Sequence, residues 1–207
     1  DMLAWRGVSE TDAIVFYGAF TDMCAARSWW LVEYLGHKDV HMLDGGVAAW
    51  TEAGHALTKD AEPPKPAKFK FETAFETVAT YSNVLEAIDD PNCVILDNRS
   101  QAEYEGTDER ARHNGAIPSC KHLNWVDLYD DGGRMKPADE LRAAFEARGA
   151  TPDKDIILYC NTGYRSAHAY LALRLLGYPN LRNYVGSWQE WGNREGMPIW
   201  KPVSAQV

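Results

Sequence analysis

An internal repeat constrains the fold of this chain more than any other feature of its sequence. Residues 6–18 (RGVSETDAIVFYG) resemble residues 148–160 (RGATPDKDIILYC) at an offset of 142 positions. After a one-residue adjustment, residues 34–50 (YLGHKDVHMLDGGVAAW) resemble residues 175–191 (LLGYPNLRNYVGSWQEW). Both copies predict a short strand, a helix, a second strand and a Gly-x-x-x-x-Trp ending. The chain therefore uses one supersecondary unit twice.

The two copies differ in length, and this difference predicts the domain organisation. Residues 59–70 (KDAEPPKPAKFK) contain three prolines and no apolar periodicity, which predicts an extended linker. We expect residues 71–207 to form a complete domain. Residues 1–58 are interpreted as the C-terminal half of a second copy, because about 75 residues of a full unit have no counterpart before them. The absent N-terminal half is a candidate partner as a separate fragment, since it would cover exposed strand edges.

The complete copy alternates short apolar runs with helical segments. Residues 93–99 (CVILDNR) and 155–160 (DIILYC) are typical of buried strands, and residues 166–177 (SAHAYLALRLLG) of a helix. This alternation predicts an α/β fold with a mainly parallel sheet covered on both faces. Trp191 and its repeat counterpart Trp50 are both predicted to lie in the core.

Composition excludes several classes of partner. The chain has 207 residues, a formal net charge of −9 and 45% hydrophobic residues. An acidic chain lacks the basic surface that nucleic acids and anionic membranes need. No apolar run approaches the roughly 18 residues of a membrane span. Four cysteines without zinc-type spacing favour a reducing compartment, so we expect a cytoplasmic protein without metal or cofactor. A periplasmic location stays open, because a leader could precede Asp1.

The segment from Cys160 to Arg165 (CNTGYR) carries the chemistry, and Ser166 begins the following helix. A loop that turns from a strand into a helix can direct several backbone N–H groups inward and bind an anion there. Gly163 permits the positive φ that such a loop needs. Thiolates are favoured at helix N-termini and near cations such as Arg165. The sequence therefore predicts a nucleophilic thiolate in an anion-binding loop.

The other cysteines lack this combination of features. Cys24 lies on a predicted helix, Cys93 begins a predicted strand, and Cys120 lies in a loop. Free cysteines of this kind are commonly small core residues. Cys160 is therefore the candidate nucleophile.

Several separated segments together resemble one known family. These are LDGGVAAW, VILDNRSQAEYEG, GAIPSCKHLNW and residues 159–192 (YCNTGYRSAHAYLALRLLGYPNLRNYVGSWQEWG). They are similar to the tandem-domain rhodaneses, which are sulfurtransferases. The resemblance implies a five-stranded parallel sheet flanked by helices, with the catalytic cysteine in the second domain. The first domain would be inactive, because Gly18 takes the place of the cysteine in the first copy.

The resemblance also implies a mechanism and a set of site residues. The Cys160 thiolate would take the outer sulfur of a donor such as thiosulfate and pass it, as a persulfide, to cyanide or a thiol. No partner other than a small-molecule donor and acceptor is required. The implied substrate-binding residues are Arg165, Arg99, Asn161, Thr162, Gly163 and Tyr164.

Three alternatives stay open at this point. A 3-mercaptopyruvate sulfurtransferase would carry a small uncharged loop of the Cys-Gly-Ser-Gly-Val-Thr type, whereas this loop contains Arg165. A cysteine-dependent phosphatase or arsenate reductase would have five residues between cysteine and arginine, whereas four separate Cys160 from Arg165. A non-catalytic binding module would not require the cysteine.

Overall fold

The computed structural model describes residues 2–61 and 63–201, and its larger sheet has five parallel strands. The order in this sheet is β3-β7-β6-β4-β5, with every pair parallel. The strands are β3 (Val78–Ala79), β4 (Cys93–Asp97), β5 (Lys121–His122), β6 (Asp155–Tyr159) and β7 (Leu181–Tyr184). The predicted α/β fold with a five-stranded parallel sheet is confirmed.

Helices cover both faces of this sheet. The helices of the complete copy are α4 (Tyr81–Ala87), α5 (Gln101–Glu105), α6 (Ala138–Glu146), α7 (Tyr164–Leu175) and α8 (Ser187–Trp191), with short 3₁₀ helices at Phe75–Thr77 and Trp125–Leu128. The central strand β6 is buried along Ile156, Ile157, Leu158 and Tyr159. Its alternate side chains enter two separate apolar clusters, one on each face, as a strand covered on both sides requires.

The first copy forms a smaller unit. It contains α1 (Met2–Trp5), β1 (Ile14–Phe16), α2 (Met23–Tyr34), β2 (Val40–Met42) and α3 (Gly46–Glu52). Strands β1 and β2 pair in parallel, with Ile14 opposite Val40. Backbone hydrogen bonds repeat the complete copy: Val47 donates to the Gly18 carbonyl as Trp188 donates to the Cys160 carbonyl. The predicted repeat is thus present at the level of individual hydrogen bonds.

Helix α2 packs against α7, and this contact joins the two copies. Trp29 and Trp30 of α2 are buried in the same apolar cluster as Tyr170 and Leu171 of α7. Trp29 lies 6.4 Å from Tyr170 between ring centroids and donates through its indole N–H to the Val40 carbonyl. The half-copy and the complete copy therefore share one core across α2 and α7.

The outer side of the two-stranded sheet is apolar and exposed. A groove of about 440 Å³ is lined by Val15, Tyr17, Leu43, Val47, Trp50, Ala56, Leu57 and Thr58. Trp50 is 40% exposed, whereas its repeat counterpart Trp191 is 0% exposed, so the expectation of a core position is wrong for Trp50 and right for Trp191. The boundaries at residues 58 and 70, and a separate fragment that covers this groove, stay predictions.

None of the described helices combines the length and the apolar character that a membrane span requires.

Candidate active site

Cys160 follows directly after the central strand β6, at the carboxyl edge of the sheet. Its side chain is 1% exposed. The Gly163 N–H donates to Cys160 Sγ over 3.1 Å, and Ser166 Oγ lies 3.7 Å from the same sulfur. The Cys160 N–H donates to Ser187 Oγ over 3.2 Å, which fixes the backbone of the cysteine to the start of α8. The sulfur therefore lies at the carboxyl edge of the sheet and accepts a hydrogen bond from the backbone of its own loop.

The turn into α7 depends on Gly163. This residue is the N-cap of α7 and has φ +83°, in the left-handed region that favours glycine. A Cβ at this position would lie 3.2 Å from Val185 Cα, so the neighbouring backbone also restricts the position to glycine. The Asn183 side chain donates through Nδ2 to the Gly163 carbonyl over 3.2 Å and accepts through Oδ1 from Ser166 Oγ over 2.7 Å. The loop is therefore held from the adjacent strand β7.

Helix α7 adds positive potential at the sulfur. It is 12 residues long and begins at Tyr164. The first N–H groups of a helix have no partner within the helix, and the helix N-terminus carries about half a positive charge. Together with the Gly163 N–H, this arrangement favours an anion at Cys160.

The remaining loop residues lie around the sulfur with different exposures. The Asn161 carbonyl accepts from the Gln189 N–H over 3.0 Å, and its side-chain Oδ1 is buried without a hydrogen-bond partner in the described chain. Thr162 and Tyr164 are exposed, Tyr164 to 42%. Their contact with a substrate stays a prediction.

Arg165 is held by a buried carboxylate. Its Nη1 and Nη2 donate to the two carboxylate oxygens of Glu103 over 2.6 and 2.8 Å. Burial raises the pKa of Glu103, but the bonds from Arg165 and Ser100 outweigh burial and bring that pKa down to about 2. The Glu103 carboxylate therefore neutralises the positive charge of Arg165, which the sequence predicts to bind the sulfur donor. Arg165 thus fixes the first turn of α7 to α5, and its contact with a donor stays a prediction.

Arg99 is also paired with a carboxylate. Its guanidinium donates to both carboxylate oxygens of Asp97 and, through Nη2, to the Gly115 carbonyl over 2.8 Å. The guanidinium carbon lies 4.3 Å from the ring centre of Trp188, and the side chain is 1% exposed. These contacts give Arg99 a structural role beneath the loop, and a direct contact with substrate stays a prediction.

Arg27 on α2 adjoins the loop, although sequence reasoning did not single it out. The ideal Cβ position of Gly163 lies 3.6 Å from Arg27 Nη1, and the Arg27 guanidinium carbon lies 5.8 Å from the Tyr164 ring centre. The guanidinium also packs on Trp30, with its carbon 4.4 Å from that ring centre. The signal in the sequence that could have identified Arg27 is its place in the segment AARSWW, where it stands next to the apolar residues Trp29 and Trp30.

Asp22 fills the equivalent position in the first copy. A Cβ added at Gly18 would overlap the Asp22 carboxylate. Oδ1 of Asp22 accepts the backbone N–H groups of Cys24 and Ala25, both over 2.8 Å, and caps α2. The first copy therefore carries a carboxylate where the second carries a sulfur, and its inactivity stays a prediction.

The other three cysteines lack the surroundings of Cys160. Cys24 is exposed in the first turn of α2, beside the Asp22 carboxylate that accepts its backbone N–H. Burial raises the pKa of Cys93 to about 11 and moves the pKa of Cys120 still further upward. Cys120 is buried 3.4 Å from the Tyr159 hydroxyl. Cys160 therefore differs from the other three in combining burial at a helix N-terminus with a backbone N–H that donates to its sulfur.

Comparison with known proteins agrees with this geometry. The profile of the Rhodanese-like domain family matches residues 2–53 and 80–194. The chain belongs to the rhodanese family. The predicted family membership is thereby confirmed, and the two matched segments correspond to the two copies of the repeat.

Relatives of this rhodanese include a bacterial and a mammalian protein. The sulfur carrier protein TtuD of Thermus thermophilus is 38% identical over 208 residues, covering 94% of this chain and 73% of that protein. The thiosulfate sulfurtransferase of Bos taurus is 32% identical over 206 residues, covering 97% of this chain and 69% of that protein.

A solved structure supports the fold independently. The wild-type structure of EanB is 24% identical, with a TM-score of 0.90, and the match covers 97% of this chain. The chain spans 53% of EanB. This likeness extends over both the half-copy and the complete copy.

Proposed function

We propose that this rhodanese transfers the outer sulfur of thiosulfate to a thiophilic acceptor, cyanide or a thiol, through a persulfide on Cys160. The observation that carries the proposal is the position of the Cys160 sulfur. It lies at the N-terminus of α7 and accepts the Gly163 N–H over 3.1 Å. Relatives named for thiosulfate sulfurtransferase and sulfur-carrier roles support sulfur transfer as the general activity.

The reaction has two displacement steps. The Cys160 thiolate attacks the outer sulfur of thiosulfate, a new S–S bond forms at Cys160, and sulfite leaves with the electron pair of the broken bond. The acceptor nucleophile then attacks the terminal sulfur of the persulfide and regenerates the thiolate. The Gly163 N–H and the start of α7 stabilise negative charge on the sulfur in both resting and loaded forms.

Loop length and the residue types in the loop favour this chemistry over the alternatives. A loop with four residues between Cys160 and Arg165 forms a narrower ring of N–H groups than a phosphatase loop with five. Arg165 and Tyr164 depart from the small uncharged loop of mercaptopyruvate-specific members. The proposed donor and acceptor are small molecules, and the free cysteines favour a cytoplasmic site of action.

Intact-mass spectrometry after incubation with thiosulfate tests the proposal. We expect the protein to gain the mass of one sulfur atom, and cyanide to remove it with release of thiocyanate. Cys160→Ser should abolish the gain, whereas Cys24→Ser, which changes an exposed cysteine, should retain it. If the wild-type protein takes up no sulfur from thiosulfate but hydrolyses an aryl phosphate, the proposal is wrong and the phosphatase alternative takes its place.

A further inference from the structure

The cationic groups near Cys160 are not equivalent. Arg165 is neutralised by Glu103, and Arg99 by Asp97, in both cases through bidentate bonds with buried carboxylates. A carboxylate that pairs bidentately with a guanidinium offsets its positive charge and so weakens its attraction for a second anion, although a guanidinium has five N–H donors in all. The two arginines that the sequence assigns to donor binding therefore each have their charge offset by a buried carboxylate.

Arg27 differs from them in its partners. Its Nη1 is enclosed by protein, yet within residues 2–61 and 63–201 this nitrogen has no hydrogen-bond acceptor. No carboxylate of the same ranges forms an ion pair with Arg27. Burial lowers the pKa of Arg27, while negative charge on Tyr164 and Cys160 acts in the opposite direction. Arg27 as a whole is half-buried, and its enclosed Nη1 costs free energy unless an acceptor, ideally an anion, bonds to it.

The position of Arg27 directs this charge at the cysteine loop. Nη1 lies 3.6 Å from the ideal Cβ position of Gly163, whose N–H bonds the Cys160 sulfur. Packing of the guanidinium on Trp30 at 4.4 Å fixes the side chain in this direction. Trp30 is buried in the apolar cluster that α2 shares with α7, so the packing that joins the two copies also fixes the position of Arg27.

We propose that Arg27 is the anion-binding residue of the donor site, so that the half-copy supplies a side chain to the active site of the complete copy. This proposal rests on the sulfur-transfer function above. Attack of a thiolate on dianionic thiosulfate brings like charges together. A cation that holds the sulfonate oxygens offsets this repulsion and stabilises the sulfite that leaves. Arg27 thereby selects donors that carry an anionic leaving group.

Three variants test the proposal. Arg27→Met keeps an apolar contact with Trp30 and removes the charge, and Arg27→Lys retains a charge. Arg174→Met is the matched control, because Arg174 pairs with Glu33 across the same α2–α7 contact but belongs to the last turn of α7. A hydrogen bond to a charged group predicts a rise of about ten- to a hundredfold in the KM for thiosulfate in Arg27→Met. Arg27→Lys should recover part of this loss, and Arg174→Met should keep the wild-type KM.

Alkylation of Cys160 separates charge recognition from sulfur transfer. Iodoacetate is anionic and iodoacetamide is neutral, and in both cases the thiolate displaces iodide. We expect Arg27→Met to lower the ratio of the iodoacetate rate to the iodoacetamide rate by about tenfold, while a merely structural role would change both rates alike.

The thiosulfate and alkylation assays distinguish failure of the Arg27 role from failure of the sulfur-transfer function. A KM and an alkylation ratio both within about twofold of wild type would overturn the role of Arg27. Wild-type protein that takes no sulfur from thiosulfate would instead overturn the proposed function, and the alkylation ratio would still decide whether Arg27 attracts anions to Cys160.

Discussion

The buried pair between Glu103 and Arg165 should contribute measurably to stability. Glu103 is 3% exposed in its side chain, and both of its oxygens accept from Arg165. A pKa of about 2 in the folded chain, against 4.5 for the unperturbed group, corresponds to about 3 kcal/mol at neutral pH. Glutamine closely mimics protonated glutamate in size and charge. Glu103→Gln should therefore lower the free energy of unfolding at pH 7 by about 3 kcal/mol.

The pH dependence of this loss has a defined sign. The pKa of Glu103 is lowered by folding, so its contribution is fully present above pH 4.5 and is lost as the pH falls toward about 2. Urea unfolding of wild type and Glu103→Gln should show a constant difference between pH 5 and 7. The two free energies should then converge as the solution becomes more acidic.

An exposed ion pair in the same chain gives the matched control. Arg112 and Glu195 are 60% and 88% exposed in their side chains, so Glu195→Gln should leave the unfolding free energy unchanged. The double variant Glu103→Leu with Arg165→Met should be more stable than Glu103→Gln, because it leaves no uncompensated charge in the interior. A Glu103→Gln variant that loses less than about 1 kcal/mol, like a surface pair, would refute the reasoning.

Two further predictions concern the loop and the helix that follows it. Gly163→Ala should slow persulfide formation, because the new Cβ would lie 3.2 Å from Val185 Cα. The control is Gly149→Ala, since Gly149 also has a positive φ of +76° but no atom within 4 Å of the added Cβ. This control should lower the free energy of unfolding by about 1 kcal/mol and leave the rate of persulfide formation unchanged. Equal loading rates in the two variants would contradict this. Burial lowers the pKa of His168 to about 4, so the folded state resists protonation, and stability should fall by about 3 kcal/mol as the pH drops from 6.5 to 4. His168→Phe should remove this part of the acid dependence in thermal melts, and an identical slope in both proteins would disprove the assignment.

Much of the fold followed from local pattern. The strand at Ile156 and the helix after Gly163 were predicted because a continuous apolar run, a glycine and a segment rich in alanine and leucine follow one another within a few residues. The same adjacency predicted that Cys160 lies at a strand end beside a helix N-terminus. These features depend on neighbours in sequence, so the sequence shows them directly.

The electrostatic partners did not follow from the sequence. Arg165 meets Glu103 from 62 positions away, and Arg27 reaches the loop from the other copy of the repeat. Such pairings are set by how helices pack, which a single sequence does not reveal. Trp50 shows the same limit, since it repeats the pattern of Trp191 but is 40% exposed among the described residues.

Asp22 prevents a simple introduction of a cysteine at position 18 of the first copy. Gly18→Cys alone would drive the new side chain into the Asp22 carboxylate. Removing that carboxylate would leave the N–H groups of Cys24 and Ala25 uncapped at the start of α2, the helix that carries Arg27. A cysteine at position 18 would thus be accommodated only by weakening the helix that places Arg27 beside the Cys160 loop, so the difference between the two copies follows from their shared packing.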